Sequence, residues 1–254
     1  MNRHIPVIFM VVLFLVSSCA SMRPVPLDRS FWQEKGKRIG VALAAVPDAE
    51  VVINAAGTPV VYGGSIILSP DAEYTEHPLR LHETWALRQA SKEVKAQEFE
   101  AVQGLLVKGL AGRGFAAFKV QIPTDAGALE RFREDGGEGV YACRDYRGVG
   151  RDVGAEYLII VRMEHYGTMC RYIDLNNYEV EIYAQVRAQM IETASNRVLW
   201  RTGWSEGRFE RIVNADCSLP DQVPIILDGL RTLLGDAATG VSVLFFSSGP
   251  VPED

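Results

Sequence analysis

The chain has 254 residues, of which 48% are hydrophobic and 23% are charged, a composition that is typical of globular proteins and excludes collagen-like and largely disordered chains. Its formal net charge of -6 argues against nucleic-acid binding, because proteins that bind the phosphate backbone normally carry a basic surplus. We therefore expect no nucleic-acid partner, and the length allows one large domain or two small ones.

Residues 1–18 have the layout of a signal peptide. Arg3 precedes an apolar run from Ile5 to Val16 that only Pro6 interrupts. A helix that spans a bilayer needs roughly 20 apolar residues. This shorter run therefore predicts a cleaved secretory signal and not a mature transmembrane helix.

The motif Val16-Ser17-Ser18-Cys19 ends this segment and resembles the lipobox of bacterial lipoproteins. In that family the cysteine is acylated and becomes the new N-terminus. The resemblance implies a palmitate-bearing lipid anchor on Cys19 and a lipidated tether over residues 19–37. Because Ala20 and not aspartate follows the cysteine, it also implies attachment to the outer membrane, with the domain facing the periplasm. The alternative is an ordinary secretory signal followed by a chance cysteine.

The sequence pattern predicts a single domain over residues 38–246, and its first predicted elements are strands. Arg38–Val46 is an apolar run rich in Val, Ala, Ile and Leu, as expected for a buried strand. Residues 47–82 predict an irregular insertion with short strand candidates separated by glycines. These candidates are Val51–Asn54, Val60–Tyr62 and Ser65–Ser69.

Thr84–Ala111 predicts one long amphipathic helix, because its apolar residues recur at intervals of three and four while charged residues occupy much of the other face. Gly112 and Gly114 provide a stop signal near its end. Phe115–Ile122 predicts the next strand, and Asp145–Val153 predicts a short helix.

The clearest strand pattern lies at Tyr178–Ile191, where apolar and polar residues alternate, so that one face is buried and the other meets water. Glu156–Tyr166 before it and Val198–Ser205 after it complete a three-strand antiparallel meander. An apolar stripe from Val223 to Ala237 predicts a closing helix, and residues 247–254 predict a frayed tail. These elements predict an α/β (α+β) fold in which helices pack mainly on one face of a single sheet.

Three cysteines remain after Cys19, an odd number for a compartment that oxidises thiols. None has the C-x-x-C spacing of a zinc ribbon or a thioredoxin-like motif. The meander brings Cys170 and Cys217 to one end, which predicts a disulfide between them and leaves Cys143 as a free, mostly buried thiol. Cys143 could reach the same end, and three reduced core cysteines are the alternative.

The sequences at the starts of two predicted strands carry a second resemblance. Gly154-Ala155-Glu156-Tyr157-Leu158 precedes one strand and Ser195-Asn196-Arg197-Val198-Leu199-Trp200 opens another, and both resemble entries in the CsgG-like, LpoB-like and TolB N-terminal-like domains of bacterial envelope lipoproteins. The resemblance covers roughly residues 83–238. It implies a non-catalytic accessory in envelope assembly or transport that acts by protein–protein contact, with an envelope protein partner or as a homo-oligomer. A subunit of an oligomeric outer-membrane secretion channel is an alternative.

A hydrolase motif occurs at Gly203-Trp204-Ser205-Glu206-Gly207, which matches the G-x-S-x-G nucleophile elbow. That mechanism needs the serine on a strand-to-helix turn and a histidine later in the chain, but no histidine follows His165. We therefore expect no enzyme activity and interpret Ser205 as a strand residue between two glycines. An envelope hydrolase that uses Ser205 is the alternative.

Metal and small-ligand sites have little support in the sequence. His82-Glu83 begins like H-E-x-x-H, but Ala86 occupies the final position, and His77 would not share a helix face with His82. We expect no metal and no cofactor. A small-ligand site on Trp200 and Trp204 is a third hypothesis, since their spacing puts them on one strand face, although a buried aromatic core explains them equally well.

Overall fold

The computed structural model describes residues 23–44, 46–55, 60–62, 65–67, 85–94, 97–122, 129–132, 139–174 and 177–249. It has a mixed α/β fold built on a single open sheet of seven strands, with a separate two-stranded hairpin. The predicted signal peptide and Cys19 lie outside the described residues. Among the described residues, no helix combines the length and the apolarity needed to cross a membrane.

The described residues form nine strands and four α-helices. The strands are β1 (Arg38–Leu43), β2 (Glu50–Ala55), β3 (Val60–Tyr62), β4 (Ser65–Ile67), β5 (Ala116–Val120), β6 (Tyr157–Asp174), β7 (Asn177–Glu192), β8 (Arg197–Arg201) and β9 (Arg208–Val213). The helices are α1 (Trp85–Ser91), α2 (Gln97–Gly112), α3 (Arg147–Val153) and α4 (Val223–Ser247), with short 3₁₀ helices at Arg29–Gln33 and Pro220–Gln222.

Two long strands, β6 and β7, form the antiparallel centre of the sheet. β1 pairs in parallel with the start of β6 and β5 pairs in parallel with β1, whereas β2 pairs in parallel with the second half of β6. β8 and β9 pair antiparallel with opposite ends of β7. The predicted meander is therefore confirmed as β6, β7 and β8, and β9 adds a further antiparallel strand.

The helices pack mainly on one face of the sheet, as predicted. α2 and α4 cover this face and bury their apolar stripes against alternate residues of β1, β6 and β7. The core on this side includes Phe99, Leu106, Leu230, Leu234 and Phe245. On the opposite face, α3 and the loop before it cover a smaller cluster that includes Leu158, Ile160 and Ile191.

The predicted long helix is wrong, because the segment forms two helices, α1 and α2. The chain turns at residues 92–94, where the amide groups of Glu93 and Val94 bond to the carbonyl groups of Ala90 and Ser91. The Val94 carbonyl then accepts a hydrogen bond of 2.9 Å from the Tyr166 hydroxyl on β6. This long-range contact stabilises a break that the helical periodicity does not reveal.

The segment 47–82 contains ordered strands at the three places where the sequence indicates them. β2 joins the main sheet beside β6, and β3 pairs with β4 as a hairpin. Gly167 makes the β2 contact possible, since a Cβ atom there would lie 1.9 Å from the Glu50 carbonyl oxygen. Part of the segment predicted to be irregular is therefore integral to the sheet.

Packing against the domain begins well before residue 38. Val25 forms a backbone bridge with Arg201, and Phe31 and Trp32 are buried. Their rings contact one another, Phe115 and Phe245 at centroid distances of 5.2 to 6.0 Å. The second half of the segment expected to be a tether is therefore part of the folded domain.

Candidate functional site: an arginine pocket

Four arginines surround a cavity of about 220 Å³ on the face of the sheet opposite α2 and α4. We call this cavity the arginine pocket. Its walls come from β6, β7, the end of β8 and the loop before α3. The arginines are Arg144, Arg162, Arg187 and Arg201, and the other lining residues include Cys143, Tyr146, Ile160, Glu164, Gln189, Thr202 and Trp204.

Strand register brings three of these arginines together. Arg162 on β6 lies directly opposite Arg187 on β7. Gln189, two residues further along β7, lies opposite Arg201 on β8, so Arg187 and Arg201 are diagonal neighbours on one face. Directly opposed like charges destabilise an antiparallel pair. The sheet therefore holds a repulsive arrangement at this position.

Asn196 positions the fourth arginine. It occupies the β7–β8 turn with a φ angle of 62°, a left-handed conformation that asparagine tolerates better than most residues. Its side-chain amide donates to the carbonyl groups of Ala142 and Arg144, and its side-chain oxygen accepts from the Tyr146 amide. These bonds hold the loop that carries Cys143 and Arg144 over the pocket.

The positive charges of the pocket are only partly compensated. Nη2 of Arg187 lies 3.1 Å from Oε2 of Glu164, and its guanidinium lies over the Trp204 ring, 5.3 Å from the centroid. Arg144 donates to the Leu129 carbonyl. In the part of the chain that the structure describes, the side chain of Arg162 has no hydrogen bond and no ion pair. Among the described lining residues, four arginines and one glutamate give a formal excess of three positive charges.

Burial strengthens the electrostatic effect of this cluster. It lowers the pKa of the Arg201 guanidinium, and the nearby charge of Arg187 lowers it further, although Cys143 acts in the opposite direction. Burial raises the pKa of the Tyr146 hydroxyl, whereas Arg162 and Arg144 oppose this shift. Arginine stays protonated under all ordinary conditions. The pocket is therefore a half-buried cationic site, suited to oxyanions that guanidinium groups bind through paired hydrogen bonds.

Cys170 and Cys217, the predicted disulfide pair, lie in contact. Cys170 on β6 pairs with Val180 on β7, and Val180 pairs with Val213 at the end of β9. Cys217 follows shortly after. Both side chains are buried free thiols, and the hydrogen bond with Cys217, together with burial, raises the pKa of the Cys170 thiol. β9, and not β8, brings Cys217 close to Cys170. The disulfide itself stays a prediction.

Cys143 differs from the prediction, because its side chain is exposed. It lies in the loop that Asn196 holds, and it lines the arginine pocket. The expectation of a mostly buried thiol is therefore wrong.

Ser205 lies in a turn that connects β8 to β9. This is a strand-to-strand connection and not the strand-to-helix turn of a nucleophile elbow. The glycine at the end of the motif has a structural role, since a Cβ atom on Gly207 would lie 2.0 Å from the Val186 carbonyl oxygen. The close approach of β7 therefore accounts for the second glycine of the G-x-S-x-G pattern.

The two tryptophans of the small-ligand hypothesis lie on opposite faces of the sheet. Trp200 is buried against Phe245 of α4, with the ring centroids 5.0 Å apart. Trp204 lies in the turn after β8 and lines the arginine pocket. The assumption that both share one strand face is wrong, because β8 ends at Arg201 before Trp204 is reached.

The histidines provide no metal site in the described part of the chain. His165 is buried beside the Tyr183 and Trp204 rings, while His77 and His82 lie outside the described residues. Within the described ranges, no three His, Cys, Asp or Glu side chains are grouped so as to hold a metal ion.

No family model matches the chain, and no curated protein matches it. Among solved structures, it is similar to the PelC dodecamer from Paraburkholderia phytofirmans (14% identity, 87% of this chain and 95% of that chain, TM-score 0.28). It is also similar to lipoprotein GNA1162 from Neisseria meningitidis (12% identity, 79% and 99%, TM-score 0.28) and to protein XCC0632 from Xanthomonas campestris, of family DUF330 (11% identity, 88% and 91%, TM-score 0.35). Similarity at this level assigns neither a family nor a function to the chain.

Proposed function

We propose that this protein is a lipid-anchored envelope protein that faces the periplasm from the outer membrane and acts by binding, without catalysis. The observation that carries the proposal is the Val16-Ser17-Ser18-Cys19 motif directly after a signal-like apolar run. Acyl chains on one cysteine hold a protein durably, because each buried methylene contributes about 0.8 kcal/mol.

Two features of the domain support a binding role. Among its described lining residues, the arginine pocket has more positive than negative side chains, which favours a negatively charged ligand or an acidic surface. Ser205, the residue on which a hydrolase mechanism would depend, lies between two strands and lacks the elbow geometry. We propose in addition that the protein has an accessory role in envelope assembly or transport, with a protein partner or with further copies of this chain.

The anchor is tested by metabolic labelling with palmitate. Cys19→Ala is expected to abolish labelling and to leave a precursor or a soluble form, whereas Cys143→Ala serves as the matched control and keeps full labelling. Unchanged labelling of the Cys19→Ala variant would contradict the proposal. Crosslinking in cells, followed by identification of the captured proteins, tests whether a partner or a second copy contacts the domain.

A further inference from the structure

The chain enters the domain at the edge of the arginine pocket. Nε and Nη2 of Arg201 donate to the Arg23 carbonyl over 3.2 and 2.8 Å. Two residues later, the amide and carbonyl groups of Val25 both bond to the backbone of Arg201. One of the four pocket arginines therefore holds the segment that leads back toward Cys19.

The distance along the chain from this point to Cys19 is short. Only residues 20–22 separate Cys19 from Arg23. A fully extended chain gains at most about 3.3–3.6 Å per residue, so these four steps reach at most about 14 Å. An acyl group on Cys19 would keep the edge of the pocket within about that distance of the membrane interface.

The charge and the size of the pocket restrict what it can bind. Among the described residues that line the pocket, four guanidinium groups face the single carboxylate of Glu164, and the side chain of Arg162 has neither a hydrogen bond nor an ion pair. The cavity of about 220 Å³ is smaller than the roughly 300–1,000 Å³ of most small-molecule sites. It fits a compact anionic group and not a large organic ligand.

We propose that the arginine pocket binds the phosphate group of an anionic phospholipid headgroup in the membrane to which the protein is anchored. The location of the ligand rests on the lipid anchor proposed above. The chemistry rests on the pocket alone, because guanidinium groups bind phosphate oxygens through paired, charge-assisted hydrogen bonds. Lipid binding would also offset the repulsion between Arg162 and Arg187, which face each other across β6 and β7.

Cys143 makes occupancy of the pocket measurable. Its thiol is exposed and lines the pocket, whereas Cys170 and Cys217 are buried. The full chain is reconstituted into phosphatidylcholine vesicles with or without phosphatidylglycerol, and the alkylation rate of Cys143 by an uncharged maleimide is measured. Arg162→Gln removes a pocket charge, whereas Arg162→Lys retains the charge but lacks the guanidinium group that donates paired hydrogen bonds. Arg231→Gln, on the exposed side of α4, is the matched control.

We expect phosphatidylglycerol to slow alkylation in the wild-type protein and in Arg231→Gln. Arg162→Gln should lose about tenfold or more in apparent lipid affinity, the effect of one charge-assisted hydrogen bond, and Arg162→Lys should lose less. Acidity at the surface of anionic vesicles slows alkylation of every variant equally, so the decisive quantity is the ratio between wild-type and Arg162→Gln rates. Equal slowing in both, or no slowing in either, would overturn the proposal.

Two soluble ligands show whether the bound phosphate belongs to a lipid or to a free compound. They also test binding to the pocket independently of the anchor. Short-chain phosphatidylglycerol, added to the detergent-purified chain, should protect Cys143 whether or not Cys19 is acylated. Failure of palmitate labelling with retained protection would reject the anchor and not the pocket chemistry. Protection by glycerol 3-phosphate with none by phosphatidylglycerol, in solution and in vesicles, would assign the pocket to a free phosphate compound and overturn the membrane assignment.

Discussion

We expect Arg162 to lower the stability of the protein when no ligand is bound. It faces Arg187 across the β6–β7 pair, and like charges in directly opposite positions destabilise a sheet. Such an arrangement breaks a local rule of strand pairing, and violations of this kind concentrate at functional sites.

Arg162→Gln is therefore expected to stabilise the ligand-free protein by about 0.2–1 kcal/mol. The gain should shrink at high salt, because screening weakens the repulsion in the wild-type protein. Urea unfolding at low and high ionic strength measures both effects, with Arg231→Gln as the control for loss of an arginine outside the pocket. A loss of stability at low salt would contradict the prediction.

His165 predicts a pH dependence of stability. Burial lowers its pKa below the ordinary value of 6.5, although the carboxylates of Glu50 and Glu164 favour the protonated form and Arg187 opposes it. The folded state therefore holds this proton less tightly than the unfolded state does. The stabilising contribution is present above pH 6.5 and is lost as the pH falls from there through the lowered pKa of the folded state.

The wild-type protein should lose free energy of unfolding over this interval relative to His165→Gln. The measurement is urea unfolding of both proteins at a series of pH values on either side of 6.5. A difference between the two that does not change with pH would show that His165 does not titrate differently in the folded and unfolded states.

At the scale of elements, β9 brings the two buried cysteines together. It returns along β7 so that Val213 lies opposite Val180, which pairs in turn with Cys170. Exchange with an oxidised thiol partner would form the Cys170–Cys217 bond and reduce that partner. The bond would close a loop of 48 residues (217 − 170 + 1) and, in the chain-entropy model, contribute about 4 kcal/mol.

Peptide mapping without reductant is expected to recover Cys170 linked to Cys217 in protein from an oxidising compartment. Cys143→Ser should leave this peptide pair unchanged, since its thiol lies at the arginine pocket. Recovery of Cys143 within a disulfide, or alkylation of all three thiols after denaturation without reductant, would reject the pairing.

Most elements of the fold are predictable from local patterns, whereas the break between α1 and α2 is not. Alternation in β7 and the apolar stripe of α4 are properties of neighbouring residues, so the sequence reveals them directly. At the break, the Tyr166 hydroxyl bonds to the Val94 carbonyl, 72 positions away in the chain. Contacts of that range follow only from the tertiary fold.

The arginine pocket is missed by sequence reasoning for a related reason. On its own strand, each of Arg162, Arg187 and Arg201 fits the pattern of a residue that faces water. Their convergence requires the register of three strands, and a slip of one residue would move each side chain to the other face. The alternation in Tyr178–Ile191 was the available signal. It shows which residues of this strand face water, but it does not show which residues of the adjacent strands lie beside them.

At the scale of the whole molecule, the segment 25–33 belongs to the folded core. Phe31 and Trp32 are 4% and 3% exposed and connect the N-terminal segment to β5 and α4 through Phe115 and Phe245. Stability of the domain should therefore depend on residues that sequence patterning assigns to a tether.

Trp32→Ala is expected to cost about 3–5 kcal/mol, the usual effect of removing a large buried aromatic side chain. Gln33→Ala, at the exposed neighbouring position, should change the free energy of unfolding by less than about 0.5 kcal/mol. Thermal or urea unfolding of the two variants makes the comparison, and equal effects would mean that the 3₁₀ helix does not contribute to the core.

If Cys19 carries the proposed anchor, the bonds between Arg201 and the Arg23–Val25 backbone would also set how often the arginine pocket meets the membrane. A domain on a long flexible linker explores a large volume, and the effective concentration of membrane groups near any one of its sites falls steeply with linker length. With a span of at most about 14 Å from Cys19, an anchored pocket would meet headgroups at an effective concentration of about a millimolar or more. An intrinsic affinity in the millimolar range would then suffice for occupancy, and bound lipids would exchange rapidly.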